Sequence, residues 1–427
     1  MQIKKINGVL LTIAVGLTPV ILWLLFSPAT LVVTQTTQKL DALAKIAALS
    51  GLALLSFNII LSARLPVFER LFLGLDRAYR AHRIIGGSVL ILLMLHAALI
   101  TAKYSSISLL SGYEYLKPNL DVALMLGKIA LGAMIVLVAI SMYIKIKYQW
   151  FVTIQRCLGA MIFVGGYHAL FVSNSDLRTN LPLFAYFLLI GGSAAGLYVY
   201  RSLFHKTVKR KLDYIVDSLS QTEGITVIWL KPLKNALACY AGQFAFFQFS
   251  SASVSTESHP FSISSGSDDS RIRIATKALG DYTSELHKLK TGDLVKVEGP
   301  YGYFSFTKIQ NPKQVWVAGG IGITPFVAMA HSLPPGYQVT LYYRVRTMTQ
   351  AIFLKELQGV ACDKPGFEIV TICTNHGQSI NAKELAKDTA AAYLMCASPA
   401  MMHRLNKQLR QYGIPKHNIY YEDFALT

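Results

Sequence analysis

Three histidines stand inside apolar stretches of the chain, where ionisable side chains are costly and mark function. His82 and His96 lie in the segment AHRIIGGSVLILLMLHAALITA, residues 81–102, fourteen positions apart. On an α-helix fourteen residues advance about 21 Å and stop about 40° short of four full turns. The two imidazoles therefore leave one face near opposite sides of a bilayer. His168 lies about seventeen residues into a later apolar stretch, 151–172, and His96 about thirteen residues into its own, 83–102. These two reach a similar depth, as two axial ligands of one haem require. The position thirteen residues before His168 holds Gln155, and a carboxamide is a poor iron ligand. A second site at His82 is therefore open to three outcomes: empty, ligated by one histidine, or completed by another residue. The plain alternative for His82 and His96 is two polar residues satisfied by neighbouring helices.

The second half of the chain carries a different chemistry. His259-Pro260-Phe261-Ser262 combines a proline that holds backbone open, an aromatic ring and a hydroxyl, a set that suits a flavin edge. It is preceded by Gly242-Gln243-Phe244 and followed by Lys277, Gly280-Asp281-Tyr282-Thr283 and Gly299-Pro300-Tyr301-Gly302. Further on, Gly319-Gly320-Ile321-Gly322-Ile323-Thr324-Pro325 follows an apolar run and opens a helical one. Glycines there let backbone N–H groups approach a pyrophosphate at a helix N-terminus. Arg344 and Arg346 could pair with a 2′-phosphate, favouring NADPH over NADH, although solvated surface arginines explain them almost as well.

The elements that must position these groups fall into two classes. The chain is 427 residues long, and its apolar residues concentrate before about residue 204. Six stretches near membrane length are expected at 9–26, 43–62, 83–102, 122–144, 151–172 and 182–204. Fifteen Lys and Arg, among them Lys4, Arg64, Arg83, Arg156 and Arg201, flank one set of ends. Lys39, Lys103, Lys117 and Arg178 flank the other. The positive-inside rule then places both termini in the cytoplasm, in a multi-pass protein of the plasma or inner membrane. It also accounts for much of the net charge of +18 without a nucleic-acid partner. The five cysteines have no paired spacing, so neither a disulfide framework nor a zinc or iron–sulfur site is implied. Beyond the membrane stretches, short strands are expected at 226–230, 245–249, 263–265, 271–276 and 294–298, as a small antiparallel barrel. Strands at 314–318, 338–344, 368–374, 392–396 and 419–422 alternate with helices, the pattern of a parallel sheet covered on both faces. The fold class is therefore multidomain: a six-helix transmembrane bundle over 1–205, a β-barrel over 206–309 and a doubly wound α/β domain over 310–427.

Six spans, a histidine pair fourteen apart in the third and a matching histidine in the fifth resemble the ferric reductase/NADPH oxidase superfamily. The resemblance implies haem b ligated by His96 and His168, with His82 as ligand of a second haem that Gln155 puts in doubt. The oxidase branch tends to place a histidine one turn beyond the outer ligand, where this chain has Ile100. Residues 206–309 resemble the FAD-binding barrel of the ferredoxin–NADP reductase family. That match implies that His259, Pro260, Phe261 and Ser262 line FAD, with Ser262 nearest the reactive flavin nitrogen, and that Lys277, Gly280 and Thr283 meet its ribityl and pyrophosphate portion. It also implies that Gly319, Gly320, Gly322, Thr324 and Pro325 form the NAD(P) turn, that Cys396 lies near the nicotinamide, and that Phe424 covers the flavin. Ala397-Ser398 stand where the family commonly has glycine, and Ala425-Leu426-Thr427 extend beyond the terminal aromatic.

The expected activity is NAD(P)H-dependent electron transfer through FAD and haem b to an acceptor on the outer face, with ferric iron or a ferric chelate placed first. Oxygen, a quinone and a partner haem protein follow. A histidine-containing transporter with a nucleotide-binding regulatory tail is the alternative from another class. It explains the apolar spans but not the ordered flavin and nicotinamide motifs.

Overall fold

The computed structural model describes residues 7–27, 35–118, 120–144, 146, 148–202, 211–266, 269–309 and 311–422. Phe424 lies outside the described residues, as do Lys4, Lys5 and most of the basic stretch at 205–211. The chain forms two compact units, 1–208 and 209–427.

The first unit is helical: α1 (Asn7–Phe26), α2 (Thr36–Ser62), α3 (Pro66–Phe72), α4 (Leu75–Ser105), α5 (Leu109–Leu116), α6 (Val122–Tyr143), α7 (Tyr148–Phe171) and α8 (Leu181–Ser202). Local chemistry sets the boundaries. Asp121 caps α6 by accepting from Leu124 N–H at 3.0 Å, and Asn180 Oδ1 accepts from Leu183 N–H at the start of α8 at 3.0 Å. Pro66 occupies the first turn of α3, where its missing N–H costs nothing. Five helices (α1, α2, α4, α6 and α8) are long and apolar enough to cross a membrane. The stretch expected as the fifth span, 151–172, forms the helix α7, 24 residues long, but it is not among these five, because Gln155, Arg156 and His168 lower its apolarity. Helices α3 and α5 lie in stretches read from sequence as loops.

α2 is the hub of this unit. Its small residues Ala44, Ala47 and Gly51 are buried, letting α4 lie close against it. Leu55, Phe57 and Ile59 of α2 join Ile85 and Val89 of α4, Met134 of α6, Ile162 of α7 and Ala194 of α8 in one apolar core. α4 packs on α2, whereas α7 packs on α6 and α8. The two histidine-bearing helices therefore belong to different packed pairs.

The second unit holds two sheets. β1 (Lys211–Thr222), β2 (Ile225–Pro232), β3 (Phe244–Ser250), β4 (Ser258–Ser262), β5 (Ile272–Lys277) and β6 (Leu294–Tyr301) form an antiparallel sheet in the order β4-β3-β6-β1-β2-β5, with the short helix α9 (Asp281–Glu285) before β6. Where a closed barrel is expected, the hydrogen-bonded order is that of a six-stranded sheet. Ser264 N–H donates to Arg273 O at 2.8 Å, tying the segment after β4 to β5. That bond explains one correction: the strand expected at 263–265 lies instead at Ser258–Ser262. Pro260 lacks an N–H, which an edge strand such as β4 tolerates, and the chain leaves β4 after Ser262 to reach β5. β1 escaped the sequence reading because a register shift between Val216 and Ser218 breaks its alternation.

The second sheet is parallel throughout, in the order β11-β10-β7-β8-β9. Its strands are β7 (Lys313–Gly319), β8 (Gln338–Val345), β9 (Phe367–Cys373), β10 (Ala392–Cys396) and β11 (Ile419–Tyr421). Helices α10 (Thr324–His331), α11 (Leu354–Asp363), α12 (Ala382–Leu385) and α13 (Pro399–Gln411) connect them. Neighbouring residues feed opposite cores: Trp316 and Leu394 pack with Phe326 and Leu357, whereas Val317 and Met395 pack with Leu405 and Leu409. Burial on both faces is why these strands read as unbroken apolar runs.

The two sheets are joined by a charged contact. Arg273 of β5 donates to Glu356 of α11 through Nη1 at 2.8 Å and Nη2 at 2.7 Å, and His331 Nε2 lies 2.5 Å from Glu356 Oε1. Burial alone raises the Glu356 carboxyl, but the bonds and charges of His331 and Arg273 outweigh it and hold it down at about 2. Its folded value lies below the ordinary 4.5, so its stabilising effect is present above pH 4.5 and is lost as pH falls toward 2. Thermal unfolding between pH 5 and 3 is expected to show a falling melting temperature for this unit, with a shallower slope in Glu356→Gln. Equal slopes would remove Glu356 from the acid sensitivity.

Candidate functional site

All three membrane histidines bond in the same way. His96 Nδ1 lies 3.0 Å from Ala44 O on α2, His168 Nδ1 lies 2.8 Å from Ala123 O on α6, and His82 Nδ1 lies 3.1 Å from Asn58 O on α2. A carbonyl only accepts, so Nδ1 carries the proton and Nε2 presents its lone pair. This outer-shell pattern orients metal-ligating histidines. The His96 and His168 rings face each other with centroids 6.4 Å apart and planes inclined at 65°. Two imidazoles that each hold one metal at about 2.0–2.1 Å place their ring centres about 6.3 Å apart. The spacing of the pair therefore fits two histidines that would hold one haem iron. No cluster of three or more His, Cys, Asp or Glu suited to a metal ion occurs among the described residues.

Glycines make the space. A Cβ at Gly127 of α6 would lie 2.5 Å from His168 Nδ1 and 2.7 Å from Cε1, so only glycine lets the ring seat against α6 and reach Ala123 O. Gly127→Ala is expected to push the ring from its seat and lower the haem-to-protein ratio at least about 10-fold, the loss typical of a broken outer shell. An unchanged ratio would show that the ring tolerates the methyl.

His82 differs from the outer pair. It makes no ring contact with another imidazole among the described residues. Asn58, whose carbonyl it contacts, has a buried Oδ1 with no hydrogen-bond partner among the described residues.

The flavin motif falls on the first sheet's edge. Ser262 ends β4, paired with Phe244, and its buried Oγ has no hydrogen-bond partner among the described residues. An orphaned buried hydroxyl is costly, and it fits a bound polar ring edge. His259 stacks on Tyr282 at 3.8 Å with Nε2 3.0 Å from Glu257 Oε2. Pro260 pairs with Phe246 and Phe261 with Ala245. Thr276 Oγ1 is a second orphaned hydroxyl, next to Lys277 at the end of β5. Thr283 Oγ1 lies at the Gly280 turn. It accepts from Leu279 and Gly280 N–H, both at 3.1 Å, closing the Gly280 turn at the start of α9.

The glycine turn lies where β7 meets α10. Gly319 ends β7, Gly320 and Gly322 sit in a 3₁₀ turn, Thr324 donates to Ile321 O at 3.1 Å, and Pro325 occupies the first turn of α10. A Cβ on Gly322 would lie 2.2 Å from Cys396 O. Cys396 is fully buried at the end of β10, directly beside the turn. Arg344 pairs with Gly319 across β8, and Arg346 is exposed two residues on. Neither guanidinium has a hydrogen bond or ion pair among the described residues. Sequence reasoning missed the carbonyls of Ala44, Ala123 and Asn58, which residue type cannot reveal, and Gly127, one of two glycines inside an apolar span.

Comparison with known proteins follows the same division. The family described as Ferric reductase like transmembrane component matches residues 47–166. A second family, described as FAD-binding domain, matches residues 214–305. The chain carries a ferric reductase-like transmembrane component and an FAD-binding domain. Relatives of this ferric reductase-like chain include the probable dihydroorotate dehydrogenase B (NAD(+)) electron transfer subunit of Methanocaldococcus jannaschii. It is 29% identical over 183 residues, covering 41% of this chain and 64% of its own length. The toluate 1,2-dioxygenase electron transfer component of Pseudomonas putida is 28% identical over 209 residues, covering 45% of this chain and 61% of its own. The match thus spans less than two thirds of each of these relatives. Among solved structures, flavohemoglobin from Malassezia yamatoensis with bound FAD and heme aligns at a TM-score of 0.51 and 18% identity. It covers 90% of this chain and 96% of its own, a likeness of fold.

Proposed function

We propose that this ferric reductase-like chain moves electrons from cytoplasmic NAD(P)H through FAD and haem b to an acceptor on the outer face of the plasma or inner membrane. A ferric chelate is the first choice of acceptor. The observation that carries the reading is the facing pair His96 and His168, with ring centres 6.4 Å apart and both Nδ1 atoms turned to carbonyls. Bound to such a chain, FAD would supply the conversion of a hydride into single electrons, which haem iron accepts one at a time.

The residues divide the work. His96 and His168 hold the iron, and the carbonyls of Ala44 and Ala123 fix their tautomers. His259, Pro260, Phe261 and Ser262 line the flavin, with Ser262 offering its unpartnered hydroxyl to the reactive edge and Lys277 and the Gly280 turn reaching its phosphates. Gly319, Gly320, Gly322, Thr324 and Pro325 present the turn to the nicotinamide nucleotide's pyrophosphate. Arg344 and Arg346, both without partners among the described residues, favour NADPH. Cys396 and Phe424 complete the nicotinamide and flavin surfaces. With Gln155 in place of an opposing histidine, His82 is a single-histidine position, and one haem per chain is expected. Three domains, 1–205, 206–309 and 310–427, carry these parts, with both termini cytoplasmic.

Vesicles reconstituted with the protein test the direction of flow. NADPH added outside should reduce a ferric chelate trapped inside, through molecules whose cytoplasmic unit faces outward. Oxygen, a quinone and a haem protein offered in turn rank the acceptors by rate. No reduction of any trapped acceptor, with flavin reduced normally, would overturn transmembrane transfer.

A further inference from the structure

The contact between Arg273, Glu356 and His331 is built more elaborately than stability requires. Arg273 is only 8% exposed. Besides its two bonds to Glu356, its Nη2 donates to Ser264 O at 2.8 Å and its Nε to Ser264 Oγ at 3.3 Å. The guanidinium carbon lies 5.1 Å from the centre of the Trp229 ring and 4.7 Å from that of Phe353. Each of the three guanidinium nitrogens has a directed partner, and two aromatic rings lie beside the group. A buried ion pair is weak evidence for stability, because apolar residues of the same shape often do as well. What a bidentate Arg–carboxylate pair adds is fixed geometry.

The segments it fixes are those that present the two redox groups. Ser264 lies two residues after Ser262, and β5 ends at Lys277. On the other side, His331 is the last residue of α10, the eight-residue helix that begins directly after the glycine turn. A cation holds that end as well: Lys364 Nζ donates to Ala330 O at 3.1 Å, His331 O at 2.6 Å and Leu333 O at 2.8 Å. A helix of this length is rigid, so anchoring its end at His331 places its start at Thr324.

We propose that Arg273, Glu356 and His331 form a positioning lock that holds the nicotinamide turn at a set distance from the flavin-binding strands. The inference rests on the NAD(P)H–FAD reading above and goes beyond it by assigning residues that touch neither group. In the step that the lock serves, a hydride, one proton with two electrons, leaves the reduced nicotinamide to give NAD(P)+ and enters the flavin. Hydride transfer needs near-contact between donor and acceptor, and a misplacement of about 1 Å can cost about 100-fold in rate.

The test uses the full-length protein with Arg273→Gln, Glu356→Gln, the double variant and Arg273→Lys. Three quantities are read: the single-turnover rate of flavin reduction by NADPH, FAD content with NADP+ affinity, and amide hydrogen exchange in 263–266 and 324–331. Each Gln variant should reduce flavin about 100-fold more slowly, with FAD content and NADP+ affinity preserved and exchange raised in both segments. The double variant should be no slower than the slower single, since the Arg273–Glu356 pair is already broken in each single variant. Arg273→Lys, with a point charge for a fork, should recover part of the rate. Unchanged rates in the single variants, losses that add in the double, or loss of FAD along with rate would each overturn the lock. Were the wild-type protein to hold no flavin, the functional reading would fail instead, while hydrogen exchange in the variants would still decide whether the contact couples the two segments.

Discussion

His96→Ala should yield a protein that still takes electrons from NAD(P)H into its flavin but no longer carries haem or passes electrons outward. The imidazole is one of two that face across 6.4 Å, and its loss leaves His168 as a lone axial ligand at that depth. Changing even an outer-shell partner of a metal ligand typically costs 10–100-fold. Loss of the ligand itself should therefore lower both haem content and reduction of a trapped acceptor by at least about 100-fold. Flavin reduction should stay near the wild-type rate, because His259 to Ser262 and the glycine turn belong to the other compact unit. His168→Ala should match it. His82→Ala gives the contrast: His82 makes no ring contact with another imidazole among the described residues, so the haem-to-protein ratio should hold. Haem retained in His96→Ala and lost in His82→Ala would reverse the assignment.

Gly322→Ala is the second substitution with a large expected effect, and it should act on the opposite end of the route. The added methyl would lie 2.2 Å from Cys396 O and 2.7 Å from Cys396 C. Both are backbone atoms at the end of β10, hydrogen-bonded in the sheet beside β7, so no side chain can swing aside. The turn and the strand end must separate by roughly 1 Å to restore ordinary contact, and displacement of that size costs about 100-fold in a positioned reaction. Single-turnover flavin reduction by NADPH should fall by about that factor, while FAD and haem contents stay level. Chemical reduction of the flavin by dithionite should restore electron flow to the haem, separating a damaged nicotinamide turn from a damaged route. Normal reduction by NADPH in this variant would mean that the turn does not seat the nucleotide.

These outcomes depend on features that differ in how far sequence exposes them. The helices carrying His82, His96 and His168 were readable because apolar length and histidine spacing are properties of one chain segment. β7, β8, β9 and β10 were readable for a similar reason: burial on both faces writes an unbroken apolar run. The six-span expectation met its exception at α7, where Gln155, Arg156 and His168 lower the apolarity of a helix that nonetheless forms. β4 was expected at 263–265 and lies at Ser258–Ser262, because an edge strand accommodates Pro260 within it and the chain beyond Ser262 turns to bond β5 through Ser264. Ala44, Ala123 and Asn58 were illegible as site residues. They act through backbone carbonyls, and only the packing of α4 on α2 and of α7 on α6 brings those carbonyls to a histidine. Arg273 and Glu356 escaped for the same reason, since 83 positions separate them. Pairings between elements, rather than patterns within them, are what sequence alone conceals.

The most direct test of the account is the optical spectrum of the purified full-length protein, recorded before and after anaerobic addition of NADPH. The account predicts a flavin band together with a low-spin haem Soret band. It also predicts that NADPH bleaches the first and shifts the second to its reduced position, and that the haem band alone disappears in His96→Ala. A flavin band with no haem, or a haem that stays ferric while the flavin is fully reduced, would contradict it.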